Sequence, residues 1–328
     1  MAIESHWYRR SWLSLLLWPL SQLFALLVWL RRLFFRWGWL KSNRLPVPLV
    51  VVGNLSVGGT GKTPLVVALA KELTQAGYRV GIISRGYGGQ ADGWPQSVSA
   101  DSEASWVGDE PLLIARRSDC PMSVGANRYA AGLHLLARAE CDLILADDGL
   151  QHYALQRDFE IVVLDGERRL GNGWRLPAGP LRESAARLRS VDWVLVNGAR
   201  DRDELGFDLH GEQLVCLSDA ASRPLADFIG QRVHAVAAIG HPARFFAQLC
   251  AAGLEPIEHP LPDHHVLKPE DVRFEDDLAV MMTEKDAVKC QAHAFRAQKN
   301  LYYLPVTAEL DQPFITSFLA AVKRKCDG

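Results

Sequence analysis

An α/β fold, with a mostly parallel sheet flanked by helices, is what three features of this 328-residue sequence predict. Apolar runs rich in Val, Leu and Ile recur along the chain, helical patterns alternate with them, and several end at Gly, Asn or Asp. A parallel sheet covered on both faces needs strands that are apolar at every position, which is how these runs read. Apolar residues make up 48% of the chain and charged residues 23%, so long disorder is not expected. The length allows one large domain or two smaller ones, each with its own core.

The first run, Leu49–Gly53, carries the strongest signal. It passes through Asn54-Leu55-Ser56-Val57-Gly58-Gly59-Thr60-Gly61-Lys62-Thr63 into a helical pattern from Pro64 to Gly77. A strand, a glycine-rich loop and a helix N-terminus form a phosphate cradle, because the helix start offers free N–H groups and the positive end of its dipole. Lys62 would reach the β- and γ-phosphates of a nucleotide, and Thr63 would place a hydroxyl on magnesium. The strict loop pattern has glycine where this chain has Ser56.

Upstream lies a cationic, apolar segment. Arg9, Arg10, Arg31, Arg32, Arg36, Lys41 and Arg44 precede Pro46 against the single acid Glu4, although the whole chain carries a net charge of −2. That net charge gives no reason to expect nucleic acid. From Ser11 to Leu30 no residue is charged, which is long enough to cross a hydrocarbon core. No small-residue cleavage site follows, which argues against a signal peptide. At about 100° per residue, Ser11, Ser14, Ser21, Gln22, Ala25, Arg32 and Arg36 fall on one narrow stripe. The pattern predicts a helix lying on a membrane surface, with tryptophans at the interface and a kink at Pro19. A single span is the first alternative, and a core helix of a soluble domain the second.

Downstream, the pattern predicts strands at Arg79 to Ser84, Phe159 to Leu164, Val191 to Val196, Val233 to Ile239, Leu278 to Met282 and Leu301 to Val306. Residues 90–105 read as a loop or small hairpin. Asp109 and Glu110 open a helix, where first-turn carboxylates complement the dipole whether or not they serve chemistry. Asn127-Arg128-Tyr129 opens another. The run Cys141 to Ala146 ends in Asp147-Asp148-Gly149, the place where a nucleotide-binding fold supplies its magnesium-side aspartate. Adjacent carboxylates at a buried edge repel each other without a cation. The six cysteines are scattered and read as reduced thiols. Asp263-His264-His265, with His259 upstream, could be considered for zinc, but adjacent histidines face one ion poorly. The polar stretch from Gly198 to Ser222 is the candidate boundary between units 46–210 and 211–328, after a membrane-associated segment 1–45.

These motifs, taken in order with Pro177-Ala178-Gly179-Pro180-Leu181-Arg182-Glu183, Ile239-Gly240-His241-Pro242 and Thr283-Glu284-Lys285-Asp286, resemble the tetraacyldisaccharide 4′-kinase family of lipid A biosynthesis. The resemblance runs from about Leu49 to Lys289, and Ser56 is in keeping with it. It implies transfer of phosphate from ATP, with Mg2+, to the 4′-hydroxyl of a tetraacylated glucosamine disaccharide 1-phosphate, at the cytoplasmic face of the bacterial inner membrane. It further implies that Ser56 to Thr63 bind the nucleotide phosphates. Thr63, Glu110 and Asp147 hold the metal, with Asp148 in support, and Asp109 pairs with His264 as the base. Arg85, Asn127, Arg128, His152 and Arg182 face the γ-phosphate or the acceptor, and Thr283 to Asp286 face the adenine side. A monomer suffices for this reading, with the oligomeric state open. The rival reading is a membrane-associated ATPase that switches a partner's conformation.

Overall fold

The computed structural model describes residues 4–326, apart from 92, 264, 291–294, 296–297 and 299. In chain order it contains helices α1 Glu4–Trp7 and α2 Trp12–Arg36, strand β1 Leu49–Gly53, α3 Lys62–Gln75, β2 Val80–Ser84, β3 Gln96–Val98, α4 Ala104–Val107, α5 Asp109–Ser118, β4 Met122–Val124, α6 Arg128–Leu136, β5 Leu143–Asp147 and β6 Phe159–Asp165. There follow β7 Trp193–Asn197, β8 Gly206–His210, β9 Gln213–Cys216, β10 Ser222–Pro224, β11 Arg232–Ala237, α7 Pro242–Ala251, β12 Glu255–Pro260, β13 Val280–Thr283, α8 Glu284–Ala287, β14 Leu301–Leu304, β15 Thr307–Leu310 and a last helix, α9, Gln312–Cys326.

The first sheet has nine strands in the order β15-β8-β7-β6-β1-β5-β2-β4-β3. All neighbours are parallel except the two edge strands, β15 on β8 and β3 on β4. β1 is fully buried and lies between β5 and β6, so its carboxyl end is the switch point where open α/β sheets bind ligands. One face of this sheet packs under α3, α5 and α9, through Leu65, Leu69, Leu112, Phe314 and Phe318; the other packs under α6 and the linker residue Leu45. The segment 90–105, read as a loop or small hairpin, is a loop with the single short strand β3, whose antiparallel partner β4 lies beyond α4 and α5, so it forms no hairpin of its own.

The second sheet has six strands in the order β10-β9-β14-β13-β11-β12, with a parallel centre. The sequence boundary at residue 210 falls between β8 and β9. At the far end the chain returns: β15 pairs with β8, and Phe314 and Phe318 of α9 enter the core of the first sheet. The apolar face of α9 has its partners there, next to Trp193.

Helix α2 differs from its expectation in orientation. It is continuous through Pro19. Its only buried residues are Ser14, Ser21 and Ala25, members of the small, polar stripe, which therefore faces the protein and not water. The Ser21 hydroxyl donates to the Arg175 carbonyl at 2.8 Å, and the Trp7 indole donates to the Pro177 carbonyl at 3.0 Å. Leu16 is 68% exposed and Trp12 73%. Small residues admit close backbone approach, so the stripe docks on the 172–183 loop and the apolar majority is left outside.

Candidate active site

Neighbouring strands of the first sheet deliver polar residues at their carboxyl ends. Ser84 ends β2, Asp147 ends β5, Asn54 follows β1, Asp165 ends β6 and Asn197 ends β7, and all of them are buried. The glycine-rich loop rises among them. Gly61 caps α3 with φ 91, in the left-handed region, and a Cβ there would lie 2.3 Å from the Asn197 amide nitrogen. No side chain caps α3, so its first N–H groups stay available to a ligand. Ser56 is buried and forms an antiparallel bridge to Leu181, outside the left-handed region, so the strict pattern's glycine is not needed.

The paired aspartates separate into different roles. Asp147 Oδ2 accepts the Ser84 hydroxyl at 3.2 Å, while its buried Oδ1 has no hydrogen-bond partner among the described residues. Burial, then the charges of Glu110 and Asp148, pushes the Asp147 carboxyl up to about 7. Asp148 takes φ 48, which turns its side chain toward Lys62 Nζ at 3.5 Å and the Arg182 guanidinium at 3.3 Å. Burial opposes ionisation of Asp148, but Lys62 and Arg182 overcome it and hold the carboxyl below its usual range.

Asp109 and Glu110 begin α5. The buried Asp109 takes the Glu110 N–H on Oδ1 at 2.9 Å. Lys285 Nζ lies 2.9 Å from Glu110, 3.9 Å from Asp263 and 4.0 Å from Asp109. Burial works against the Lys285 ammonium, yet those carboxylates raise its pKa above the ordinary lysine value. The orphaned Asp147 oxygen, with Glu110 acting on it, is the oxygen-rich donor set that suits a hard divalent cation.

Arginines gather on the opposite wall. Arg128 is 4% exposed; it donates to the Gly125 and Ala126 carbonyls at 3.1 and 3.4 Å, and its Nε has no hydrogen-bond partner among the described residues. Burial pushes it down to about 10, against the pull of Asp147 and Asp148. His152 is pushed down to about 4 by burial and by Arg128, Arg157, Arg31 and Arg85, so it is neutral at neutral pH. Arg85 lies over the Tyr87 ring. These groups share one cavity of about 860 Å³ with Lys62, Thr63, Glu110, Asp148, Arg182, Asp263 and Lys285, and α2 lines it with Phe24, Val28 and Arg31.

Of the residues predicted from sequence, Asn127 does not line the cavity, and its side chain caps α6 by accepting the Ala130 N–H at 3.1 Å. Thr283, Glu284 and Lys285 line the cavity, but Glu284 pairs with Arg117 at 3.0 Å and Lys285 serves the carboxylates. Asp286 is fully buried and accepts the Thr283 hydroxyl at 2.6 Å and the Ala238 N–H at 3.0 Å, which tie α8 to the end of β11. His264 lies outside the described residues. Sequence reasoning missed Ser84, Asp165, Arg168 and Asn197. Their shared signal is a polar residue at or just past the end of an apolar run.

Known proteins resemble this chain over nearly its whole length. The family model Tetraacyldisaccharide-1-P 4'-kinase matches residues 13–323. The chain belongs to the tetraacyldisaccharide-1-P 4'-kinase family. A tetraacyldisaccharide 4'-kinase of Alkalilimnicola ehrlichii is 52% identical over 93% of this chain and 92% of its own. That of Nitrosococcus oceani is 47% identical, over 98% and 94%. A crystal structure of the Aquifex aeolicus family member in complex with ATP superposes with a TM-score of 0.76 at 29% identity, covering 94% of this chain and 99% of that one. The family thus fits the kinase expected from the motifs.

Proposed function

We propose that this protein transfers the γ-phosphate of ATP to the 4′-hydroxyl of a tetraacylated glucosamine disaccharide 1-phosphate, at the cytoplasmic face of the inner membrane. The observation that carries the reading is the shared cavity, in which the glycine-rich loop faces Glu110, Asp263 and Lys285, with the buried Asp109 4.0 Å behind Lys285, and α2 supplies a third wall. An acceptor held in the bilayer by its acyl chains need only pass its sugar along α2 to reach the phosphate end. The exposed leucines and tryptophans of α2 lie at a lipid surface in this reading, which turns the search for substrate into a two-dimensional one.

The loop amides and Lys62 hold the triphosphate. Thr63, Glu110 and Asp147 would hold Mg2+, which supplies neutralisation of phosphate charge. Asp109, paired with His264 in the sequence reading, takes the proton of the attacking hydroxyl. Lys285 keeps the acidic cluster compact without closing it to the acceptor. Arg85, Arg128 and Arg182 offer forked donors to phosphate oxygens, and a neutral His152 adds a hydrogen bond without further positive charge. Phosphoryl transfer depends mainly on such alignment and charge stabilisation.

The test is to incubate the purified protein with ATP, Mg2+ and the tetraacyl disaccharide 1-phosphate and to weigh the lipid product. One added phosphate is expected, with Asp109→Asn lowering the rate by about 10²–10⁴-fold. Acceptor-independent ATP hydrolysis with no phosphorylated lipid would replace this reading with the switch ATPase.

A further inference from the structure

The carbonyls of the glycine-rich loop are held from behind by side chains of other segments. Asn54 Nδ2 donates to the Gly58 carbonyl at 3.3 Å, and Asn197 Nδ2 donates to the Thr60 carbonyl at 3.0 Å. The carbonyl between them, Gly59, accepts from the Arg168 guanidinium. Arg168 is itself oriented by the buried Asp165, which takes its backbone N–H at 2.9 Å and its Nε at 3.2 Å. Asp165 stays ionised although burial opposes it, because His241, the Arg168 backbone N–H and the Arg244 and Arg168 guanidiniums hold its pKa below the usual range.

A trans peptide is planar, and its C=O and N–H point in opposite directions. A donor that fixes the carbonyl of one residue therefore aims the N–H of the next. Holding the Gly58, Gly59 and Thr60 carbonyls sets the N–H groups of Gly59, Thr60 and Gly61. Among the described residues none of these N–H groups has a hydrogen-bond partner, and their residues line the cavity. Glycine-rich backbone is otherwise free to rotate, and each misaimed amide would have to be reordered when an anion binds.

From this geometry we infer that Asn54, Arg168 and Asn197 are positioning residues that preorganise consecutive loop amides for the nucleotide phosphates. The inference rests on the kinase reading above and adds to it residues that lie behind the glycine-rich loop and do not line the cavity. Arg168 also donates to the Gly240 carbonyl at 3.2 Å, so the same guanidinium links the loop to the segment between β11 and α7.

The test compares the full-length wild type with Asn54→Asp, Asn197→Asp, Arg168→Met and Arg168→Lys. The aspartates keep size but turn a donor into an acceptor facing a carbonyl. ATP and ADP affinities are measured by titration calorimetry, and KM is measured separately for ATP and acceptor. Affinity for both nucleotides and KM for ATP are expected to worsen tenfold or more, with acceptor KM unchanged and Arg168→Lys between wild type and Arg168→Met. A merely destabilised enzyme would lose active fraction and leave KM for ATP in place. If the asparagine variants do not fold, the Arg168 pair decides. ATP affinity and KM within twofold of wild type in the folded variants would overturn the inference, whereas a wild type that binds no ATP would overturn the kinase reading instead.

Discussion

Helices α2 and α3 are built inside out with respect to one another. In α3 the fully buried residues are Leu65, Val66, Leu69, Ala70 and Leu73, and its polar start opens onto the cavity. In α2 the buried residues are Ser14, Ser21 and Ala25, while leucines and tryptophans lie outside. One helix is stabilised by removing apolar surface from water through the fold itself. The other leaves that surface to be removed by something beyond the fold, and the proposed function assigns that part to lipid at a helix that carries Arg31, Arg32 and Arg36. The difference teaches that an apolar run of helical length does not state which face meets the protein.

The contrast can be broken at several points. Replacing Leu23, Leu26 and Leu27 together with serine removes about 1.5–3 kcal/mol of burial each, so vesicle binding is expected to fall by roughly 10³-fold or more. Cosedimentation with phospholipid vesicles reads this, and unchanged recovery would place the lipid contact elsewhere. Leu69→Ala in α3 is expected to cost about 2–5 kcal/mol in denaturant unfolding, whereas Leu26→Ala in vesicle-free buffer stays within about 0.5 kcal/mol. Equal losses would erase the distinction.

At the cavity between the helices the sharper probe is pH. The Asp147 carboxyl sits at about 7 against an ordinary 3.8, so the metal-free protein holds its proton below neutrality. Its contribution to stability is complete below the ordinary value and is lost as pH rises through the raised one. In the proposed function Mg2+ binds the Asp147 carboxylate, so below pH 7 its apparent affinity should drop by up to about tenfold per pH unit, levelling off above. Calorimetry in buffers of different ionisation enthalpy should register proton release, and Asp147→Asn should abolish it. Release unchanged in that variant would assign the proton to another group. The smallest effect is expected for Ser21→Ala, which loses the hydrogen bond to Arg175 at a cost of about 1 kcal/mol; a change below the precision of the unfolding curve would mean that the stripe docks by packing alone.

The 172–183 loop joins the two halves of this comparison. It receives α2 through Arg175 and α1 through Pro177, pairs with the glycine-rich loop through the Pro180 carbonyl and the Val57 N–H at 2.9 Å, and ends by sending Arg182 to Asp148. From the sequence only Arg182 was legible as a site residue. The prolines marked a loop, but nothing local in it pointed to α2, which is more than a hundred residues earlier in the chain.

Legibility followed the range of the forces involved. The strand, loop and helix from Leu49 to Gln75 could be read because their causes lie within a few residues: buried valines, glycines at constrained backbone, and a helix dipole at a loop. Asp147-Asp148 could be read for the same reason, although their separation into a carboxyl near 7 and a carboxylate held by Lys62 could not, since it depends on Glu110 and Arg182 from other elements. The sequence by itself thus determined the α/β alternation, the phosphate loop, the acids at a strand end and an apolar cationic N-terminus. Only the tertiary structure decided which face of α2 docks, that β15 and α9 return to the first sheet, that Lys285 serves the Asp109 and Glu110 cluster, and that Asn54, Arg168 and Asn197 hold the loop from behind. Each of these decisions is a contact between segments distant in sequence, and burial and Coulomb interactions depend on distance through space, which periodicity along a chain does not encode.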